Sequence, residues 1–328
     1  MSAENRQDDF SVDVVRVEPD FSTPWHPVAA MRWPRQPRSH AQLAVAIGLF
    51  GLTLLSTLAA GAQFAAAYAA GHAPVLDDFF SAYLRPFTHP QLFVPGIPFA
   101  AALLGILLVH ELGHFFACRY YRIEASYPYF VPAPTLIGTL GAFIRIRSPI
   151  ANRRALFDMA LAGPLAGFLV ATPILAIAIG QSRIIAGCDA APLIFGQPLI
   201  ERLLEAWLQP GIPHVNLLLH PVGRAAWVGL FATALNLLPA GQLDGGHILY
   251  TLASVRHRLI SLCVALALVP MSYLWMGWAL WAVLLLAIGF RHPPLIDRWE
   301  PLDRRRRILA GVALAIFILC FMPSPFVI

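Results

Sequence analysis

Apolar residues dominate the chain in long runs, separated by short breaks rich in proline or arginine. The runs cover about 42–70, 97–118, 156–181, 224–253, 259–290 and 308–323. A hydrocarbon core of about 30 Å takes roughly 20 residues of helix, so the pattern predicts membrane-spanning helices. Pro95-Gly96-Ile97-Pro98 breaks the chain before the second run, and Pro239-Ala240-Gly241 interrupts the fourth. As a single helix the run 259–290 would reach about 48 Å. Arg256 and Arg258 precede it and Arg291 follows it, which favours a helical hairpin turning near 270–277. The expected count is seven spans, or six if that run is one tilted or kinked helix. Thr135–Arg147 alternates in part, with Phe143, Arg145 and Arg147 on one parity and Ile144 and Ile146 on the other. That is the period of a short strand or hairpin dipping towards the membrane. Residues 198–208 read as a short amphipathic helix, lying on the outer interface or packed on the protein itself. The expected fold is an all-α polytopic membrane protein of six to seven transmembrane helices with a small membrane-associated β element. A disordered cytosolic tail is expected over 1–41, ahead of a membrane domain over 42–328.

Composition agrees with this. The chain is 58% hydrophobic and 12% charged, where a soluble chain carries about 25% charged residues. A net charge of +5 and a pI near 9.3 could suggest nucleic acid, but the charge is placed otherwise. All 23 basic residues are arginine, and only Arg85, Arg183, Arg202 and Arg224 lie outside segments 1–41, 119–154, 254–258 and 291–307. Those four segments share one side if the N-terminus is cytosolic, as the positive-inside rule requires. The expected partner is therefore the lipid bilayer and not nucleic acid. The bias from lysine to arginine fits a GC-rich genome, so a bacterial cytoplasmic membrane is the expected location. Cys118, Cys188, Cys263 and Cys320 are too far apart in sequence for a thiolate metal site or a disulfide framework. With the first apolar run starting near Gln42, no cleavable signal peptide is expected.

The second run contains His110-Glu111-Leu112-Gly113-His114. Positions i and i+4 of a helix share a face, so both imidazoles can reach one metal ion, with Glu111 beside them as a general base towards water. Buried in an apolar helix these groups are costly, and binding a metal offsets that cost. Zinc needs a third protein ligand. The broken fourth run offers Asp244, within Asn236-Leu237-Leu238-Pro239-Ala240-Gly241-Gln242-Leu243-Asp244-Gly245-Gly246-His247. Helix breaks at membrane depth survive where they line a polar cavity. The alternative for Asp244 is a helix cap.

Together, His110-Glu111-x-x-His114 and Asn236-x-x-Pro239-x-x-x-x-Asp244-Gly245 resemble the site-2 protease family of intramembrane metalloproteases. The likeness extends over about 97–250 and includes 138–143 and 157–167. It implies one zinc ion per chain, held by His110, His114 and Asp244, with Glu111 as general base. It further implies hydrolysis of peptide bonds within or near transmembrane segments of membrane proteins, as in regulated intramembrane proteolysis. Many members carry a PDZ domain between the third and fourth spans. The loop of about forty residues here is too short for one, so the likeness is to the PDZ-lacking branch of bacteria and plastids.

Supporting roles are expected for several more residues. Thr139 and Leu140 are candidates for pairing with an unwound substrate by strand addition, the alternative being an ordinary cytosolic loop. Asn236 is equally a candidate for a hydrogen bond to the substrate or the oxyanion and for a buried amide satisfied by the broken helix. His247 is expected to support the metal ligands from behind or to be purely structural, without binding the metal. Asp158 is expected to cap or pair at the start of the third span, four residues after Arg154. Ala162-Gly163-Pro164 and Gly167 read as close helix packing. His72, His89, His214 and His220 read as surface or interface residues, and Trp275, Trp278 and Trp281 as interface anchors or lipid-facing packing. A metal transporter and an inactive, protease-like scaffold are the rival functions.

Overall fold

A computed structural model describes residues 40–72, 79–185, 194–213, 217–290, 295, 297 and 301–327. Most of the expected tail, with Cys188 and His214, lies outside them. The first run is one helix, α1 (His40–Ala70). A ten-residue helix not foreseen from the sequence follows, α2 (Phe79–Thr88). A 3-10 turn over Pro90–Gly96 then leads into α3 (Ile97–Tyr120), with a proline in its first turn where a missing N–H costs nothing. The antiparallel strands β1 (Tyr129–Pro132) and β2 (Thr139–Phe143) form a hairpin with Phe130 opposite Ala142. It is prolonged outwards by the Ala125–Ile146 bridge. Next comes α4 (Arg153–Gly180), capped by Asn152, whose side chain accepts from the Ala155 amide at 2.9 Å. Asp158 therefore does not cap this helix.

Between the third and fourth runs lie β3 (Arg183–Ile184), β4 (Ile194–Phe195), α5 (Leu199–Leu208) and β5 (Leu217–Leu218). Helix α5 turns Glu201 and Glu205 inwards, leaving Leu203 and Trp207 exposed. Both acids lie beside Arg224, whose guanidinium covers the Phe195 ring. The fourth run is split into α6 (Pro221–Asn236) and α7 (Asp244–Ala253). The run 259–290 is not one helix but two, α8 (His257–Met271) and α9 (Gly277–Ile288). The chain ends with α10 (Arg304–Cys320) and β6 (Phe326–Val327), which pairs with β4.

Helices α3, α4 and α6 pack together as the centre, flanked by α1 and α10. Phe99, Leu103, Ile106, Phe157, Leu175, Trp227 and Leu230 fill it. Lipid tails are as apolar as leucine, so burial alone does not hold such helices together; close contact of small residues does. Gly113 of α3 abuts the Ala162 carbonyl of α4, and Gly229 of α6 abuts Ile106. Outward-facing residues of α1 such as Val45, Ile47 and Leu52 are apolar and exposed, as a lipid-facing surface requires. Three helical stretches are long and apolar enough to cross a membrane: 40–70, 90–120 and 153–180. Helices α8 and α9 are apolar but shorter. Trp278 is fully buried, contrary to the expected lipid-facing or anchoring place, because its indole N–H donates to the Pro323 carbonyl at 2.7 Å.

Candidate metal centre

His110 and His114 lie one turn apart in the second half of α3, both buried with Glu111 between them. The Nδ1 of His114 is 2.7 Å from the Met159 carbonyl of α4. A carbonyl only accepts, so Nδ1 carries the proton and Nε2 presents its lone pair. That Nε2 lies 3.1 Å from Nε2 of His110. Glycines of α4 make room for both rings: a Cβ at Gly163 would stand 2.1 Å from His114 Nε2, and one at Gly167 would stand 3.1 Å from His110 Nδ1. The small residues expected to serve helix packing thus also shape the space the imidazoles occupy.

The third group arrives from the broken fourth run. Helix α6 stops at Asn236, the chain turns through Gly241 at φ +57°, and α7 starts at Asp244. A Cβ at Gly245 would stand 2.0 Å from the Leu237 carbonyl, so only glycine lets the new helix begin this close to the end of the old one. The N-cap position of α7 is Leu243, and no side chain caps the helix there. The Asp244 carboxylate instead turns to the histidines, with Oδ2 3.5 Å from His110 Nε2 and 3.3 Å from His114 Nε2. Zinc bonds of about 2.0–2.2 Å at tetrahedral angles would set ligand atoms roughly 3.3–3.6 Å apart. The three observed separations lie close to that range. Three lone-pair-bearing atoms converging in a buried place call for a cation, so the donor set fits zinc. His110, His114 and Asp244 are the one such group found among the described residues.

A cavity of about 190 Å³ opens beside these atoms, lined by Glu111, Asn236, Gln242 and His247 together with Phe143, Ile144, Ile146 and Met159. Asn236 brings its amide nitrogen to 3.2 Å from His110 Nε2. Thr139 and Leu140 do not line the cavity. Thr139 is buried inside the hairpin, its hydroxyl donating to the Val131 carbonyl, while Leu140 points away and is 73% exposed. The strand reaches the cavity only from Ala142 onwards. Sequence reasoning also missed Gln242 and the Met159 carbonyl. Nothing in their residue types marks them, because they act through the place the fold gives them.

Asp158 forms an ion pair with Arg306 of α10, 148 positions away. His220 is no plain surface residue: it is the N-cap of α6, its Nδ1 accepting from the Val222 amide, and its ring packs on Tyr68.

The family model described as Peptidase family M50 matches residues 98–276, more than half of the chain. The chain is 33% identical over 244 residues to the probable zinc metalloprotease EGY1, chloroplastic, of Arabidopsis thaliana, covering 70% of this chain and 43% of that protein. It is 32% identical over 269 residues to the probable zinc metalloprotease EGY2, chloroplastic, of Oryza sativa subsp. indica, covering 77% and 47%. For EGY2 of Arabidopsis thaliana the figures are 29% identity over 289 residues, 86% and 49%. The chain thus spans less than half the length of these relatives. All three are plant chloroplast proteins by name, and they lend no support to the bacterial cytoplasmic membrane expected from arginine usage.

Proposed function

The chain belongs to peptidase family M50, the site-2 proteases, and from that premise we propose that it is a zinc-dependent endopeptidase of the membrane. Its substrates are proteins cut within or near their transmembrane segments. The observation that carries this reading is the convergence of His110 Nε2, His114 Nε2 and Asp244 Oδ2 within 3.1–3.5 Å, beside Glu111 and an open cavity. Bound by these three atoms, zinc would supply Lewis acidity, polarising the scissile carbonyl and acidifying water. Glu111 takes the proton from the attacking water and hands it to the leaving nitrogen. The Asn236 amide donates to the oxygen on which charge develops. Phe143, Ile144, Ile146 and Met159 give the cavity apolar walls suited to a stretch of transmembrane helix. A helical peptide hides its carbonyls, so the substrate must unwind first. The edge of β2 away from β1 has no strand partner among the described residues and would hold the extended chain by backbone hydrogen bonds.

The test uses the purified full chain in detergent with a single-span substrate. Glu111→Gln is expected to keep one zinc per chain and to lose cleavage by roughly 10²–10⁴-fold. Full cleavage by that variant would overturn the role of Glu111. A metal transporter would instead release its ion, so zinc uptake into vesicles holding the wild-type chain would favour that rival.

A further inference from the structure

Three segments distant in sequence meet below the metal centre. Tyr121 follows the last residue of α3, Asp158 lies in the second turn of α4, and Arg306 lies in the first turn of α10. The Nε of Arg306 donates to Asp158 Oδ1 at 2.8 Å, and its Nη2 donates to Asp158 Oδ2 and, at 3.0 Å, to the Tyr121 hydroxyl. The Tyr121 hydroxyl in turn donates to Asp158 Oδ2. Burial first, and Asp158 after it, push the Tyr121 phenol up to about 12, so it keeps this proton throughout the physiological range. Asp303 completes the group: its carboxylate caps α10 and accepts from Nη1 of Arg306. The Asp158 carboxylate thus receives a bidentate guanidinium and a phenol, a planar fork that lysine cannot reproduce.

The peptide next to Asp158 is the one that orients a candidate ligand, since the Met159 carbonyl accepts from Nδ1 of His114 at 2.7 Å. Helices α3 and α4 meet here through Gly113, Ala162 and Gly163. Such a contact brings backbones close and seats the His114 and His110 rings of α3 against Gly163 and Gly167 of α4, so a small shift of α4 along α3 would reach both rings. A directional tie between the two helices therefore bears on the site. We propose that Asp158, held by Arg306 and Tyr121, is a positioning residue for the metal centre. It locks α4 against α3 at the level where the Met159 carbonyl fixes the tautomer and aim of His114. In this arrangement α10, which lies beyond the residues that match the family, is a working part of the metal site.

This inference rests on the metal-binding reading of His110, His114 and Asp244, and its test separates the two. The full chain is purified metal-free, and zinc affinity and the visible spectrum of the cobalt-substituted protein are measured for wild type, Arg306→Ala, Arg306→Lys and the exchanged pair Asp158→Arg with Arg306→Asp. Thermal unfolding of the metal-free forms is followed in parallel. Loss of a partner that orients a ligand typically costs about 10–100-fold in metal affinity. Arg306→Ala is expected to lose about tenfold, with a changed cobalt spectrum and little change in metal-free unfolding. The exchanged pair should regain most of the loss. If Arg306→Ala does not fold, Arg306→Lys is expected to show the same changes in smaller degree. Wild-type zinc affinity and an unchanged spectrum in the Arg306 variants would overturn the clamp and leave the metal site standing. A wild-type chain that takes up no zinc would overturn both.

Discussion

Gly163 sits where any side chain would collide with the nitrogen that His114 offers to a metal. Alanine normally gains about 1 kcal/mol over glycine inside a helix, so on propensity alone Gly163→Ala should be harmless. The contact reverses this. A methyl group 2.1 Å from Nε2 must push the imidazole off its line, and zinc affinity is expected to fall by at least about tenfold, as when a ligand loses its orienting partner. Gly105→Ala is the control, because Gly105 lies in the same helix as His114 and a Cβ there meets nothing within 4 Å. Equal zinc affinity for the two variants, measured by competition with a chelator, would contradict the seating role of Gly163. The contrast with the histidines explains what was legible at this scale. His110, Glu111 and His114 declare themselves because their spacing is local and their chemistry is in the side chain. Gly163 and Met159 act on the same ring through an absent side chain and a backbone carbonyl, and although both lie in a stretch the sequence marks, neither announces that role there.

At the scale of elements, the alternation over Thr135–Arg147 did announce a hairpin, though not which of its residues meet the site. The turn residue Gly138 is docked on α1, where its carbonyl accepts from the Ser56 hydroxyl, and Arg147 bonds Gln42 at 2.6 Å. Anchored at both ends, the hairpin presents Ala142, Phe143 and Ile144 to the cavity and leaves Thr139 as an internal tie. Proline at Leu140 removes a backbone donor without touching any candidate ligand. If β2 receives the substrate, it is expected to lower cleavage about tenfold, the equivalent of one well-placed hydrogen bond, with zinc content unchanged. Undiminished cleavage would dismiss strand pairing. The loop that presents Asp244 is braced in a comparable way from outside its own motif. Ser261 of α8 accepts from the Gly241 amide at 3.1 Å, and His257 lies 3.2 Å from the Gly241 carbonyl. A helix break at Pro239-Ala240-Gly241 could be read from the residues. The brace could not, because it joins positions that only the fold brings together.

For the molecule as a whole, the ends of α4 serve as two reference levels. At its start, Arg153 bonds Ser254 at the exit of α7, and Asp158 bonds Arg306 at the entry of α10. Beyond its far end, β4 pairs with β6, just after α10. The chain between α7 and α10 therefore leaves from the near level and returns to it, so it crosses twice or not at all. The tip of the α8–α9 hairpin decides which to expect. The Leu274 carbonyl accepts from Ser324 at 3.1 Å, and Trp278 donates to Pro323 at 2.7 Å, both partners lying past the end of α10 at the far level. At 1.5 Å per residue, α8 and α9 reach only about 22 Å and 18 Å, and the turn 272–276 with the flanking residues supplies the rest. Two crossings by this hairpin are therefore the expected outcome, which with the other runs would make the count seven, the number expected from the sequence if 259–290 is a hairpin. In a chain freed of native cysteines, Tyr273→Cys at the 96% exposed tip and Arg258→Cys at the base are each treated with a membrane-impermeant maleimide, in sealed vesicles of both orientations. The two are expected to react from opposite faces. Reaction of both from one face would make the hairpin re-entrant and reduce the crossings to five.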